Sequence, residues 1–149
     1  MWNESKSIEL SKICVILFMV LQVICMIFAP MLVSRLIYMS VPARAAGNSL
    51  FLITIYTGSI PAGFLLAYLY ILLHRISKGH VFIKENVTCL RYISWCCFAG
   101  AVICTASIYY YLPWFAISVA AAFVGLIVRV VKNVISKAVS LQDESDLTI

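Results

Sequence analysis

Six cysteines are the side chains of this chain best suited to metal binding or nucleophilic chemistry. No two of them have the C-x-x-C spacing of zinc and redox motifs. Cys89 and Cys96 are seven residues apart, as are Cys97 and Cys104. Neither pair supplies enough ligands for a soft-metal site. We therefore predict that the cysteines are small, polarizable packing residues.

The two histidines offer no better candidate for catalysis. His74 and His80 flank Arg75 and Lys78 in a basic segment without a neighbouring carboxylate, and interfacial solvation explains such a segment. The sequence shows no Ser/His/Asp set, no glycine-rich phosphate loop and no paired acids. We predict a non-enzymatic protein with no cofactor and no bound metal.

Polar side chains within the apolar stretches suggest a second kind of chemistry, which is permeation. Ionisable residues are missing from the middle third of every stretch, so a proton relay is disfavoured. Gln22 is the only strongly polar group in the first stretch, and a hydrogen bond to a neighbouring helix would account for it. The alternative is a small oligomeric exporter or permeation unit. Its polar path would be formed by Gln22, Thr54, Thr57, Ser94 and Thr105.

Four apolar stretches must position all of these residues, roughly over 13–33, 50–73, 90–112 and 113–131. The chain is 64% hydrophobic and 11% charged, whereas soluble domains have about 25% charged residues. Backbone groups in lipid must satisfy one another, so each stretch should be a helix. We predict an all-α fold, a four-helix transmembrane bundle in a single integral membrane domain over 1–149.

Positive charge indicates the orientation of this bundle. Nine of the eleven Lys and Arg residues lie before the first stretch, in or beside the connection between the second and third, or at and after the end of the fourth. This bias predicts that both termini and the middle loop are cytoplasmic. The net charge of +5 then matches anionic lipid headgroups, and we predict no direct contact with nucleic acid.

Small residues spaced four apart predict where the helices touch. They are Gly58 and Ala62, Ser59 and Gly63, Cys96 and Gly100, and Ala121 and Gly125. Pro61 predicts a kink in the second span, because proline removes a backbone donor. Residues 109–114 predict a tight outer turn in an aromatic belt.

Residues 132–149 predict a cytoplasmic amphipathic helix with an acidic tail. Its apolar face is predicted to contain Val131, Val134, Ile135, Ala138 and Leu141. An apolar end that follows acidic residues can fill a groove or extend a sheet on a partner protein. The alternative is a membrane-surface helix with a frayed end.

Two stretches of this sequence contain distinctive spaced residues. The first contains Gly79, Phe82, Asn86, Leu90, Arg91 and Ile93. The second contains Asn133, Val134, Ile135, Ala138, Leu141, Glu144, Asp146, Leu147, Thr148 and Ile149. Together they resemble the bacterial membrane family called domain of unknown function 2975. The resemblance implies a bacterial inner-membrane protein with four spans and no established activity. Genes of the family often neighbour small helix-turn-helix regulators, which implies a transcription regulator as a partner.

These observations favour an accessory or regulatory membrane protein that docks a cytoplasmic partner, with the lipid bilayer around it. The sequence also leaves a homo-oligomer open. The candidate docking residues are Gly79, Phe82, Asn86, Arg91, Glu144, Asp146, Leu147, Thr148 and Ile149.

Overall fold

Four long α-helices make up residues 4–148, the part of the chain that the computed structural model describes. They are α1 (Glu4–Met39), α2 (Val41–Ser77), α3 (Lys84–Ser107) and α4 (Trp114–Leu147), with no strand among the described residues. Each helix is long and apolar enough to cross a membrane. The predicted all-α fold with four membrane-spanning helices is confirmed.

The helices pack in chain order, with α1 on α2, α2 on α3, and α3 on α4. Among the described residues, no Cα atom of α1 lies within 8 Å of α3 or α4, and α2 and α4 are separated in the same way. Short connections force neighbouring helices to run antiparallel, since Ser40 alone joins α1 to α2. The bundle is therefore an open series of helices.

Most helices extend beyond the predicted spans, but α3 ends before its predicted span does. The apolar stretch continues to residue 112, but α3 ends at Ser107 and the chain turns over residues 108–113. Short backbone bonds tighten this turn, with the Tyr110 amide donating to the Ser107 carbonyl at 3.3 Å. The predicted turn is confirmed, and the hydrophobic pattern alone placed the end of α3 too late.

The interruption in α2 lies at Gly47 and not at Pro61. Gly47 has φ 76° and ψ 158°, while the backbone at Pro61 keeps helical angles. The kink at Pro61 stays a prediction, because a proline can bend the helix axis while its backbone angles remain helical. A membrane helix tolerates proline because neighbouring groups compensate for the lost donor, and α1 contains Pro30 in the same way. The Gly47 conformation is one that only glycine adopts readily.

Two of the glycines bring helices close together, and two do not. A Cβ atom on Gly125 of α4 would lie 3.0 Å from Cys97 Cβ, and one on Gly63 would lie 3.6 Å from Gln22 Nε2. For Gly58 and Gly100, nothing beyond the helix's own backbone lies within 4 Å. The small-residue prediction is correct at Gly63 and Gly125 and wrong at Gly58 and Gly100, because spacing does not say which face of a helix meets a neighbour.

Two clusters of buried side chains hold the ends of the bundle. Beside the middle loop, α2 and α3 bury Leu72, Cys89, Leu90 and Ile93. At the opposite end, Val33, Ala43 and Phe51 are buried under the aromatic turn. The ring centroid of Phe51 lies 5.0 Å from that of Tyr110 and 5.2 Å from that of Tyr111. These clusters fix both turns relative to the helices.

Candidate docking surface

The middle loop and the second half of α4 lie at the same end of the molecule. Lys84 Nζ at the start of α3 is 3.0 Å from Asp143 Oδ2 near the end of α4. The Lys12 ammonium of α1 donates to Ser77 Oγ at the end of α2, so the beginning of α1 lies at this end as well. We call residues 78–91 and 132–148 the loop–tail surface.

The middle loop is held in shape by Gly79 and Asn86. Gly79 has φ +83° and donates its amide to the Ile76 carbonyl at 3.0 Å, an arrangement that ends α2. Asn86 Nδ2 donates to the carbonyls of His80 and Val81 at 2.8 and 2.9 Å. Asn86 is only 1% exposed, so it positions the loop and does not offer a contact to a partner.

We expect Asn86→Ala to loosen the middle loop, because both side-chain bonds to the loop carbonyls disappear. The free energy of unfolding should fall by about 1–3 kcal/mol. Thermal unfolding of the purified protein in neutral micelles measures the change. The matched control is Asn133→Ala, since Asn133 is exposed and makes no side-chain hydrogen bond within residues 4–148. Equal effects of the two substitutions would contradict this role of Asn86 in holding the middle loop.

The interfacial level at this end of the bundle is marked by Arg129 and Trp95. The Arg129 guanidinium lies 5.4 Å from the Trp95 ring centroid, in a cation–π arrangement typical of the membrane interface. Leu147 follows Arg129 by eighteen residues on the same helix, which is about 27 Å of helix axis. The headgroup layer is only about 5–8 Å thick on each side. Along the helix axis, the end of α4 thus lies farther from Arg129 than the headgroup layer is thick.

Several apolar side chains on the loop–tail surface are exposed. Phe82 is 52% exposed, Leu141 57% and Leu147 87%. Glu144, Asp146 and Thr148 are exposed on the last turns of α4, whereas Ile149 lies outside the described residues. Apart from the buried Asn86, the predicted docking residues between 79 and 148 are thus accessible at one end of the molecule.

A polar groove joins the two halves of the loop–tail surface. Residues from α3 and α4 line it, including Lys84, Thr88, Arg91, Ser136, Ser140 and Asp143. Val87 and Val139 form its apolar walls. The structure therefore brings Arg91 beside the second half of α4, although the two are far apart in sequence.

The sequence did not identify the face of α4 that packs on α3. The predicted face included Val134 and Leu141, but these are 64% and 57% exposed, while Val139 is 6% exposed. Contact with α3 follows Ser118, Gly125 and Val139 instead.

The polar residues proposed for a permeation path are divided among different contacts. Gln22 Nε2 donates to the Ser59 carbonyl at 2.7 Å, which joins α1 to α2. Ser94 Oγ donates to the Gly125 carbonyl at 3.0 Å, which joins α3 to α4.

The remaining three path candidates also have separate surroundings. Thr54 Oγ1 lies 2.8 Å from Ser107 Oγ, and Thr105 Oγ1 lies 2.6 Å from Ser118 Oγ. Thr57 faces an apolar groove between α2 and α3. None of the five bonds to another within residues 4–148, and all but Thr57 join two helices by hydrogen bonds in one copy of the chain.

Other chemistry is sparse in the structure. Among residues 4–148, no group of three or more His, Cys, Asp or Glu side chains is placed to hold a metal ion. Cys89 and Cys97 are buried, while Cys14 and Cys25 lie on exposed faces of α1. Cys89 Sγ accepts a contact from Arg75 Nη1 at 3.4 Å, which ties α2 to α3 beside the middle loop.

The fold and this surface define a class, a four-helix protein of the membrane whose charged residues gather at the helix ends. Large apolar side chains are widely exposed, for example Ile27 at 69% and Val102 at 68%, and lipid suits them where water would not. The chain belongs to the family described as "Protein of unknown function (DUF2975)", whose family model matches residues 2–149. The resemblance seen in the loop and tail motifs is thereby confirmed. Searches of curated proteins and of solved structures find no match.

Proposed function

We propose that this protein is a non-enzymatic accessory protein of a bacterial inner membrane, which docks a cytoplasmic regulator on its loop–tail surface. The observation that carries the proposal is the projecting end of α4. Leu147 is 87% exposed. Its distance from Arg129 along the axis of α4 is greater than the thickness of the headgroup layer. An apolar side chain outside both lipid and the protein interior gains by contact with a partner.

The acidic residues near the end of α4 indicate that the partner is basic. Three of the six acidic residues of the chain are Asp143, Glu144 and Asp146. A small helix-turn-helix regulator carries excess Lys and Arg to neutralise DNA phosphates. Such a protein would be attracted to an acidic tail, and Leu147 and Phe82 would then supply apolar anchors. Binding at the membrane would hold the regulator away from its operator.

The orientation required by this proposal agrees with the charge bias. The middle loop and both chain ends share one end of the bundle, which is where the positive residues gather. The opposite end carries Tyr109, Tyr110 and Tyr111 and has no charged residue in its turn. The proposed topology has the loop–tail surface in the cytoplasm.

We expect Phe82→Asp and Leu147→Asp each to release a small helix-turn-helix regulator of the proposed kind from the membrane. Loss of a buried apolar anchor should weaken binding by about tenfold or more. Co-sedimentation of the regulator with vesicles that contain the full chain measures the bound fraction. Tyr109→Asp is the control, because Tyr109 is 97% exposed at the opposite end.

Deletion of residues 141–149 should have a still larger effect than either substitution. The regulator should then be recovered in the supernatant. Unchanged co-sedimentation after the deletion, or equal release by Tyr109→Asp, would contradict docking at the loop–tail surface.

A further inference from the structure

We infer that the groove between α3 and α4 binds the phosphate of an anionic phospholipid headgroup, with Arg91 as its main ligand. The groove encloses about 430 Å³ between the first turns of α3 and the second half of α4. That space is large enough for a phosphate and part of a glycerol group. This inference does not depend on the proposed regulator, because the ligand is a component of the membrane itself.

The polar groups of the groove match a phosphate. Among residues 4–148, Arg91 has no carboxylate within salt-bridge distance and its guanidinium makes no hydrogen bond. Ser136 is exposed beside it, and its hydroxyl is likewise without a partner in the described chain. A guanidinium fork binds two phosphate oxygens at once, and a hydroxyl can donate to a third.

The remaining groups allow an anion to enter. Asp143 is the acid that borders the groove, and its carboxylate is paired with Lys84 at 3.0 Å. Thr88 Oγ1 and Ser140 Oγ already donate to the carbonyls of Lys84 and Lys137. The groove therefore offers one unpaired guanidinium and one free hydroxyl, with its acid neutralised.

Depth favours a lipid as the carrier of the phosphate. Arg91 precedes Trp95 by four residues on α3, a separation of about 6 Å along the helix. Trp95 and Arg129 mark the interface, and lipid phosphates lie within the headgroup layer of about 5–8 Å beyond the hydrocarbon. Arg91 is thus placed at the level of the phosphates. A phosphate free in the cytoplasm would gain nothing from this position.

Native mass spectrometry of the full-length protein in neutral-detergent micelles tests the inference. Phosphatidylglycerol is titrated as the probe, with phosphatidylcholine and inorganic phosphate as comparisons. We expect Arg91→Gln to weaken phosphatidylglycerol binding by about tenfold, as for loss of a charge-assisted pair. Arg91→Lys should also weaken it several-fold, since the charge remains but the planar fork is lost.

Lys137→Gln is the matched control, because it removes one positive charge one residue from Ser136 on an exposed position outside the groove. It should change the affinity by less than about twofold, since Lys137 does not line the groove and solvent screens its exposed charge from a phosphate bound there. Equal losses from Arg91→Gln and Lys137→Gln would overturn the site. So would an Arg91-dependent affinity for inorganic phosphate that equals that for phosphatidylglycerol, which would identify a soluble phosphate as the ligand. If Arg91→Gln does not fold, Arg91→Lys against Lys137→Gln decides by the same criterion.

Discussion

Gly125→Leu is expected to force α3 and α4 apart and to lower the free energy of unfolding by about 3 kcal/mol. A Cβ atom at this position would lie 3.0 Å from Cys97 Cβ and 3.2 Å from the Phe98 ring. Cys97 Cβ is fixed to the backbone, so only movement of a helix can relieve the clash. That movement would also break the 3.0 Å bond from Ser94 Oγ to the Gly125 carbonyl.

Gly100→Leu is the matched control for this prediction. Gly100 is also a helical glycine, but it borders an open groove of about 350 Å³ that can receive the new side chain. Unfolding in neutral micelles with added denaturing detergent, followed by circular dichroism, compares the two variants. Gly125→Leu should unfold at a clearly lower detergent fraction. Equal stability of the two would show that α3 and α4 do not approach at Gly125.

Gly47→Val is expected to destabilise the end of the bundle that carries the aromatic turn by about 3 kcal/mol, because a β-branched residue cannot adopt this backbone conformation without strain. The φ of 76° and ψ of 158° at Gly47 interrupt α2. They allow the first turns of α2 to carry Ala43, which is fully buried, against Val33 and Phe51. Loss of the break should therefore loosen this cluster.

Amide hydrogen exchange locates the effect of Gly47→Val. Protection should fall around residues 43–55 and in the aromatic turn, while the region around Leu72 and Leu90 keeps its protection. Gly58→Val provides the comparison, since Gly58 has helical angles and no atom beyond its own helix backbone within 4 Å. A Gly47 variant as stable as the Gly58 variant would contradict the observed break.

Features that depend on neighbouring residues alone were predictable from the sequence. The apolar stretches gave four helices, because lipid leaves the backbone no other way to satisfy its hydrogen bonds. Gly79 follows the end of α2 with a positive φ, which a glycine in the sequence readily allows. The aromatic turn before Trp114 also follows from its local composition.

Features that depend on tertiary packing were not predictable. Both Gly47 and Gly58 are glycines in α2, yet only Gly47 takes a conformation that requires glycine, since the cluster at Ala43 selects it. The pairing of Lys84 with Asp143 needs the antiparallel arrangement of α3 and α4, which no local pattern contains.

The motifs singled out the middle loop and the tail, which the structure places at one end of the molecule, but they did not separate buried from accessible residues. Asn86 shows the difference, because it belongs to the loop motif but is buried and holds the middle loop in shape through its hydrogen bonds. The sequence did not identify Ser136 as a candidate ligand. Only the structure shows that it lines the same groove as Arg91. The roles of Phe82, Glu144, Asp146, Leu147 and Thr148 in docking stay predictions.

The side of the membrane on which the loop–tail surface lies tests the account most directly. Tyr109→Cys and Ser145→Cys can each be made in a chain whose six native cysteines are replaced by alanine, and both positions are exposed at opposite ends of the bundle. Intact cells are treated with a membrane-impermeant maleimide and compared with lysed cells. We predict that Tyr109→Cys reacts in intact cells, whereas Ser145→Cys reacts only after lysis. Labelling of Ser145→Cys in intact cells would contradict the proposed orientation and the docking of a cytoplasmic partner.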